Sequence, residues 1–477
     1  MASQQLPEEL LQQIMWYLKL DVYNDNLADD NLTTRMTLLS CMIANSVLHR
    51  LAEPVLYHSI NQHELTRLVQ CFTRRPRLAG LVRELRDREG ESHKRLTEKL
   101  PDIQAWTEEN FELCRGWGRP YEIPTIGLVS LMCTRLETFI LERNDADLTF
   151  PCGDFFAECT EWYHEPQTGF GTPLGTLRTF IMQPGPRYQD HMSEFDDSWL
   201  PGLISLPKIE KIELAELKMY DFEVPDSTSS LQSLTIGSST VDGLGYTGQL
   251  ALSIVLERLL VKCPMLKYLD LTFHSDPDEG DDHWNLLGYM LSNHGLSLRT
   301  LHLYNPYKVV MPAYDGAPIN LAAMTNLRTL TLPGNAILPS RWTRSSISAS
   351  HPERQSDSVD RGSISSLIND NSQDGDDNPG NRNGLDKGFD PASVSLTDVL
   401  PPNLTQLTIV DNTTLSSNVA RLDVELQKIM LSSRFERLEV VRLRRDQARA
   451  EHMMGLDWEM HRQDNYWKVS RRLEAHS

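Results

Sequence analysis

One phrase of apolar and polar positions recurs along the chain: a polar residue, then LxxLxL with a polar second position. It appears as LETFIL at Leu136, LRTFIM at Leu177, IEKIEL at Ile209, LQSLTI at Leu231 and LKYLDL at Leu266. It returns as LRTLHL at Leu298, LRTLTL at Leu327, LTQLTI at Leu404 and LEVVRL at Leu438. The start-to-start spacings are 41, 32, 22, 35, 32, 29, 77 and 34 residues. Because roughly a quarter of the positions are large and apolar, the triplet alone would arise several times by chance. Three features lift it above that level. Leu-Arg-Thr followed by Phe or Leu occurs three times, most spacings fall near 30, and helical patterns lie between the phrases, at Leu250–Cys263 and Val419–Ser433. A short strand and a helix repeated at this period predict a stack of units, each burying its apolar face only against its neighbours.

At the amino terminus the pattern is helical instead. Leu10, Leu11, Ile14 and Leu18 form one stripe, broadened by Met15, Trp16 and Tyr17. Pro7 suits the first helical position, and Glu8 and Glu9 complement the positive end of the dipole. The polar stretch Asp21–Arg35 predicts a loop. A second helix is predicted from about Thr37 to Ala52, with Leu38, Leu39, Met42, Ile43, Val47 and Leu51 as its apolar set. Pro54 should end it, and Val55–Ile60 reads as a short strand. About sixty residues make a weak independent core, so this unit is either a helical cap or a docking module that firms up on a partner.

Between these regions, residues 61–134 predict linking helices and a first irregular repeat, with LTRLVQCFTRRPRLAGLVREL giving a helix and a strand. The repeats proper then cover 135–339 and resume over 397–477. The 77-residue gap holds a Ser/Asp/Asn-rich stretch, 340–396, with almost no aromatic residue. Such composition cannot bury enough surface to offset its ordering entropy. Removing about 45–50 residues restores the ordinary repeat length, which predicts a disordered insertion in a loop. Its Arg344-Ser345-Ser346 run is a candidate phosphorylation cluster, against the plainer reading of a tolerated linker.

LPEELLQQIMWYL followed by LLSCMIANSVLHRLAEPVLYHSI resembles an F-box of the type common in fungal proteins, marked by Leu6-Pro7, Leu10, Ile14, Leu18 and the run Leu51–Tyr57. The loop at Asp21–Arg35 is longer than the family's, and Asn45–Leu48 lack the tryptophan that many members carry. The repeats that follow resemble the looser leucine-rich repeats found behind such modules. The resemblance implies an α/β chain: an N-terminal helical F-box (1–60), then an irregular leucine-rich-repeat solenoid with a disordered insertion. It implies a substrate receptor of an SCF ubiquitin ligase, with Leu6, Pro7, Leu10, Ile14 and Leu18 on a Skp-family adaptor and, through it, a cullin scaffold. The repeats would hold a protein substrate that the sequence does not identify. An alternative is a leucine-rich-repeat interaction scaffold with no part in ubiquitination.

Charge narrows the partners. With 46 Lys+Arg against 66 Asp+Glu, the net charge is -20. This disfavours nucleic acid, whose binding needs cations to displace counterions, and anionic membrane surfaces. The seven cysteines form no CxxC pair, as expected of reduced thiols in the cytoplasm or nucleus. The first twenty residues do not read as a signal peptide and no run predicts a membrane span.

Candidate chemistry is thin. Gly243-Leu-Gly-Tyr-Thr-Gly248 spells GxGxxG before a helix, with Asp270 further on, which would suit a dinucleotide. Six residues separate it from LQSLTI, and Asp270 sits inside a predicted strand rather than past its end, so no cofactor is expected. The acidic loop Asp276–His283 lacks the glycine and glutamate positions of a calcium loop. No HExxH or GxSxG occurs, so neither a metal site nor an active site is expected, and the chain is read as a non-enzyme. Function then falls to the residues that alternate away from the leucines. These include Thr138, Ile140 and Glu142; Lys211, Glu213 and Ala215; Tyr268, Asp270 and Thr272; His302 and Tyr304; and Val440, Arg442 and Arg444. Tyr268, Asp270, His302, Tyr304, Arg442 and Arg444 are the candidate substrate-binding set, since exposed aromatics and arginines dominate interface energetics.

Overall fold

The computed structural model describes residues 6–19, 28–62, 65–87, 125–143, 174–184, 200–215, 217–219, 228–241, 249–273, 284–304, 319–337, 395–410, 416–444, 458–463 and 466–471. Three helices come first: α1 (Glu8–Tyr17), α2 (Ala28–Ala44) and α3 (Ser46–His58). Pro7 stands one place earlier than expected, as the residue that caps α1, and its carbonyl accepts from Leu10 and Leu11 N–H at 3.1 Å each. The stretch read as a loop up to Arg35 is helical from Ala28. The single helix expected at 37–52 is divided by Asn45, which turns extended and accepts from Leu48 N–H at 2.8 Å, a side-chain cap.

Pro54 does not stop α3. It lies inside the helix, which runs on to His58, so Val55–His58 are helical and only Ser59 and Ile60 of the expected strand are extended. The reason is tertiary. Leu51, Ala52 and Val55 are buried with Met15 and Leu38 in a small core of the module's own, and that packing outweighs the hydrogen bond a proline forfeits.

The chain passes from α3 straight into a sheet. Its elements are β1 (Ser59–Gln62), α4 (Leu65–Arg74), α5 (Pro76–Ala79), β2 (Glu84–Asp87), α6 (Thr125–Met132), β3 (Thr138–Arg143), β4 (Thr179–Pro184), α7 (Leu200–Ile204), β5 (Lys211–Leu214), β6 (Leu217–Met219) and β7 (Ser233–Val241). There follow α8 (Gln249–Lys262), β8 (Tyr268–Phe273), α9 (Trp284–His294), β9 (Thr300–Tyr304), β10 (Thr329–Pro333), α10 (Gly334–Ile337), α11 (Leu396–Val399), β11 (Gln406–Val410), α12 (Ser416–Leu431), β12 (Val440–Arg444), β13 (Trp458–Gln463) and β14 (Tyr466–Arg471). The fold is mixed α/β. Eleven strands, β1-β2-β3-β4-β5-β7-β8-β9-β10-β11-β12, lie parallel and in chain order, β6 pairs with β7 off this path, and the antiparallel pair β14-β13 closes the β12 edge.

Each LxxLxL-like phrase forms one of these strands, and its first residue is wholly buried: Leu136, Leu177, Ile209, Leu231, Leu266, Leu298, Leu327, Leu404 and Leu438 are all 0% exposed. They belong to one continuous core that runs the length of the stack. β10 and β11 are direct neighbours, with Thr329 opposite Gln406 and Pro333 opposite Val410, so the long gap leaves the stack unbroken. The insertion itself lies outside the described residues, except that Ser395 and Leu396, assigned to it by composition, belong to the ordered return, where Leu396 is fully buried. In five of the nine phrases the polar residue before the first buried position has a role. Thr176, Ser230 and Ser297 donate to the carbonyls of Leu136, Ile209 and Leu266 one repeat back, at 2.7–2.8 Å, and Asn326 and Asn403 donate to Leu296 and Thr325 at 2.8 Å. These side chains satisfy backbone acceptors that the strand ladder does not reach.

Candidate interaction surfaces

The helical module buries too little of its apolar surface. Around the core of Met15, Leu38, Leu51, Ala52 and Val55, α1 leaves Leu6, Leu10 and Ile14 exposed, with Tyr17 90% exposed. On α2, Leu32, Met36 and Leu39 are exposed, and Ile43 is 86% exposed. Leu32, Met36, Leu39 and Ile43 recur at helical spacing and form one stripe. Pro7 is exposed as well, whereas Leu18 packs partly against the module's core. These exposed apolar side chains make the module a candidate contact site.

The module is locked to the sheet. Glu84 on β2 accepts from Lys19 Nζ and from Ser59 Oγ, each at 2.6 Å, and Arg77 Nη2 reaches both oxygens of the buried Glu53 at 2.6 and 2.8 Å. His58 packs edge-on against Trp16, ring centroids 5.1 Å apart, and its Nδ1 lies 3.0 Å from Ser59 Oγ. Burial, then the Lys19 ammonium, hold the His58 pKa below the ordinary imidazole value, against an opposite pull from Glu84.

On the sheet face away from the leucines, residues fall into rows because the strands pair in register. One row reads Arg86, Ile140, Ile181, Glu213, Thr235, Asp270, His302, Thr331, Thr408 and Arg442 from β2 to β12. The structure corrects the expectation that this whole face is open. Ile140 and Glu142 are buried, Ile140 packs on Ile181, and Glu142 pairs with the buried Arg86. Gln183 Nε2 adds a long contact to Glu142 at 3.4 Å. Nothing in the strand pattern signals this, because alternation gives a side chain's direction and not what lies above it.

Four of the six candidate substrate-binding residues are brought together. Asp270 Oδ2 accepts from the Tyr268 hydroxyl at 3.1 Å and lies 3.2 Å from His302 Nδ1, and the Tyr268 and His302 rings meet edge-on at 5.6 Å. Tyr304 follows His302 on the same face of β9. Burial first, then the Asp270 carboxylate, push the Tyr268 pKa up to about 12. Arg442 lies in the same row as Asp270 but four strand spacings away, about 19 Å. Arg444 is opposite Val410 beside it, so the two arginines form a separate group.

The glycine motif at 243–248 and the acidic loop at 276–283 lie outside the described residues. One ground against a dinucleotide site changes: β7 extends to Val241, so the glycines follow it closely. The other ground stands, since Asp270 is level with Thr235 near the start of β7, far from its carboxyl end. Among the described residues, no three His, Cys, Asp or Glu side chains group as a metal site requires. Among them, too, no helix is long and apolar enough to cross a membrane. No protein-family model matches the chain, and no curated protein matches it.

Proposed function

We propose that this chain is the substrate-recognition subunit of an SCF-type ubiquitin ligase. Its F-box-like helices dock a Skp-family adaptor and, through it, a cullin scaffold. Its parallel stack, read as an irregular leucine-rich-repeat solenoid, holds a protein substrate. The observation that carries the reading is the set of exposed apolar side chains, Leu6, Leu10 and Ile14 at α1 and the stripe along α2. Full burial of one such side chain is worth about 1.5–3 kcal/mol, so a partner covering several supplies the stability that a five-residue core does not.

The mechanism is proximity. The locked junction fixes the docking face relative to the sheet, and a substrate held on the sheet is presented at high effective concentration to a ubiquitin donor on other subunits. This chain contributes positioning and no bond chemistry. The test is capture of the purified Skp-family adaptor by wild type and by the Leu10→Asp/Ile14→Asp variant. Both sites are exposed, so circular dichroism should show an intact fold while the variant loses the adaptor. Failure of the wild type to hold the adaptor would overturn the reading and leave an interaction scaffold with no ubiquitination role.

A further inference from the structure

The residue after each buried leucine, just before its strand, forms a row along one edge of the sheet. Backbone bonds fix the order: Glu137 N donates to Arg83 O, Arg178 to Glu137, Glu210 to Arg178, Gln232 to Glu210, Lys267 to Gln232, Arg299 to Lys267, Arg328 to Arg299, Thr405 to Arg328 and Glu439 to Thr405. The first half alternates in sign and is paired within itself. Arg83 lies 3.4 Å from Glu137, and Arg178 lies 2.9 Å from Glu210. After Gln232 the alternation stops, and Lys267, Arg299 and Arg328 occupy three successive rungs.

None of these three meets a carboxylate among the described residues. Lys267 Nζ donates to the neutral Gln232 Oε1 at 2.8 Å, and Arg328 Nη1 donates to the Asn403 carbonyl at 3.0 Å. Arg299 is exposed, and its side chain has no hydrogen bond or ion pair among the described residues. With strands about 4.8 Å apart, the three cations span roughly 10 Å. Gln232 and Thr405 flank them, and Glu210 and Glu439 lie one rung beyond on either side. This is a short positive strip on a chain of net charge -20.

We propose that this strip binds a carboxylate-rich segment of a partner protein, its acidic side chains seated on Lys267, Arg299 and Arg328. Charge complementarity carries the assignment. The strip's small extent and the acidic remainder of the chain favour a short acidic peptide over a long polyanion, whose charges beyond the strip would be repelled. The inference goes beyond the adaptor reading and does not rest on it.

The experiment is fluorescence anisotropy of a labelled octaglutamate peptide with the full chain and no adaptor present. Binding should weaken as salt is raised. The Lys267→Gln/Arg299→Gln/Arg328→Gln variant should bind about tenfold more weakly, each exposed pair contributing about a factor of two. The Arg83→Gln/Arg178→Gln variant removes two cations that already have carboxylate partners and should leave affinity within about twofold of wild type. The proposal is overturned by an absence of binding at low salt, by equal losses in both variants, or by a single-stranded oligonucleotide that binds the same three residues more tightly than the peptide does. None of these outcomes touches the adaptor capture.

Discussion

The pair of Arg86 and Glu142 lies on the face that strand alternation turns away from the core, yet both side chains are almost wholly buried, at 2% and 6% exposure. Two ions out of water each carry a desolvation cost of several kcal/mol, which their mutual attraction offsets. Removing one leaves the other's buried charge with less to offset that cost. Arg86→Met and Glu142→Leu, made singly, should each cost about 3–5 kcal/mol. The double variant Arg86→Met/Glu142→Leu should fall within about 2 kcal/mol of wild type, because it removes both charges and extends the apolar patch of Ile140 and Ile181. Urea unfolding followed by far-UV circular dichroism on the four proteins completes the cycle, and the non-additivity is the quantity of interest. If Glu142→Leu cost less than about 1 kcal/mol, the value of an exposed pair, the face at β2–β4 would be open to water. The candidate recognition surface would then take in β2–β4 as well.

Three further outcomes follow from local geometry. Gly288 sits inside α9, where a methyl group would come within 2.6 Å of Asn320 N and 3.0 Å of Asn320 O. Gly288→Ala should therefore destabilise the chain by about 1–3 kcal/mol in urea, against the gain an alanine usually brings to a helix. Burial alone would raise the Glu425 pKa, but Lys428 at 2.6 Å, the Leu396 N–H at 3.0 Å and the Ser395 hydroxyl at 2.8 Å outweigh it and hold the carboxyl below its ordinary value. Its contribution is thus present above the unfolded carboxylate pKa and lost as pH falls through the lower folded value, and Glu425→Gln should remove that acid-dependent part of the melting temperature. His58 also has a depressed folded pKa, so its junction is at full strength above the ordinary imidazole value of 6.5 and weakens as pH falls below it. Protection factors at Ser59–Gln62, which remove the intrinsic slowing of amide exchange with falling pH, should drop over that range in wild type and not in His58→Gln, and an equal response in both would exclude His58 as the cause.

The strands were legible because their signal is local. Period-two alternation with a fixed leucine recurs in every unit, and the parallel register then follows from stacking each buried leucine on the last. The module's helix boundaries were less legible because local rules compete with packing. Pro54 disfavours helix before it, but Leu51, Ala52 and Val55 needed that helix to fill their core. The Asn and Asp of residues 21–35 signal a loop, while Leu32 and Met36 further along belong to the same helical stripe as Leu39 and Ile43. Of the candidate sites, the cluster of Tyr268, Asp270, His302 and Tyr304 could be read from alternation alone, since two adjacent strands in register suffice to assemble it. Burial of Ile140 and Glu142 could not, because it depends on tertiary cover that no strand pattern encodes. The positive strip was present in the polar second position of LKYLDL, LRTLHL and LRTLTL, but only stacking shows that Lys267, Arg299 and Arg328 are neighbours.

Two cores and one junction set how these surfaces relate. The module's core is separate from the long core of the sheet, and the two units are joined by polar contacts, by Tyr57 of α3 packing on the long core, and by the backbone of α3 running into β1 with no residue between them. Glu84 and Glu53 each tie the module to an element of the first repeat, through Lys19 in one case and Arg77 in the other. From β1 to β9 the sheet order counts seven strand spacings, which places Arg299 on the order of 34 Å along the stack from the junction. That is several times the screening length of about 8 Å at physiological salt, so charge on the strip does not act on the proposed docking face. Sites this far apart with no shared partners are additive. A variant combining Leu10→Asp/Ile14→Asp with the three glutamines should lose the adaptor as fully as the first pair does and the acidic peptide as fully as the second set does. That independence is what the proposed receptor role requires, with one end held on a common scaffold while the other exchanges partners.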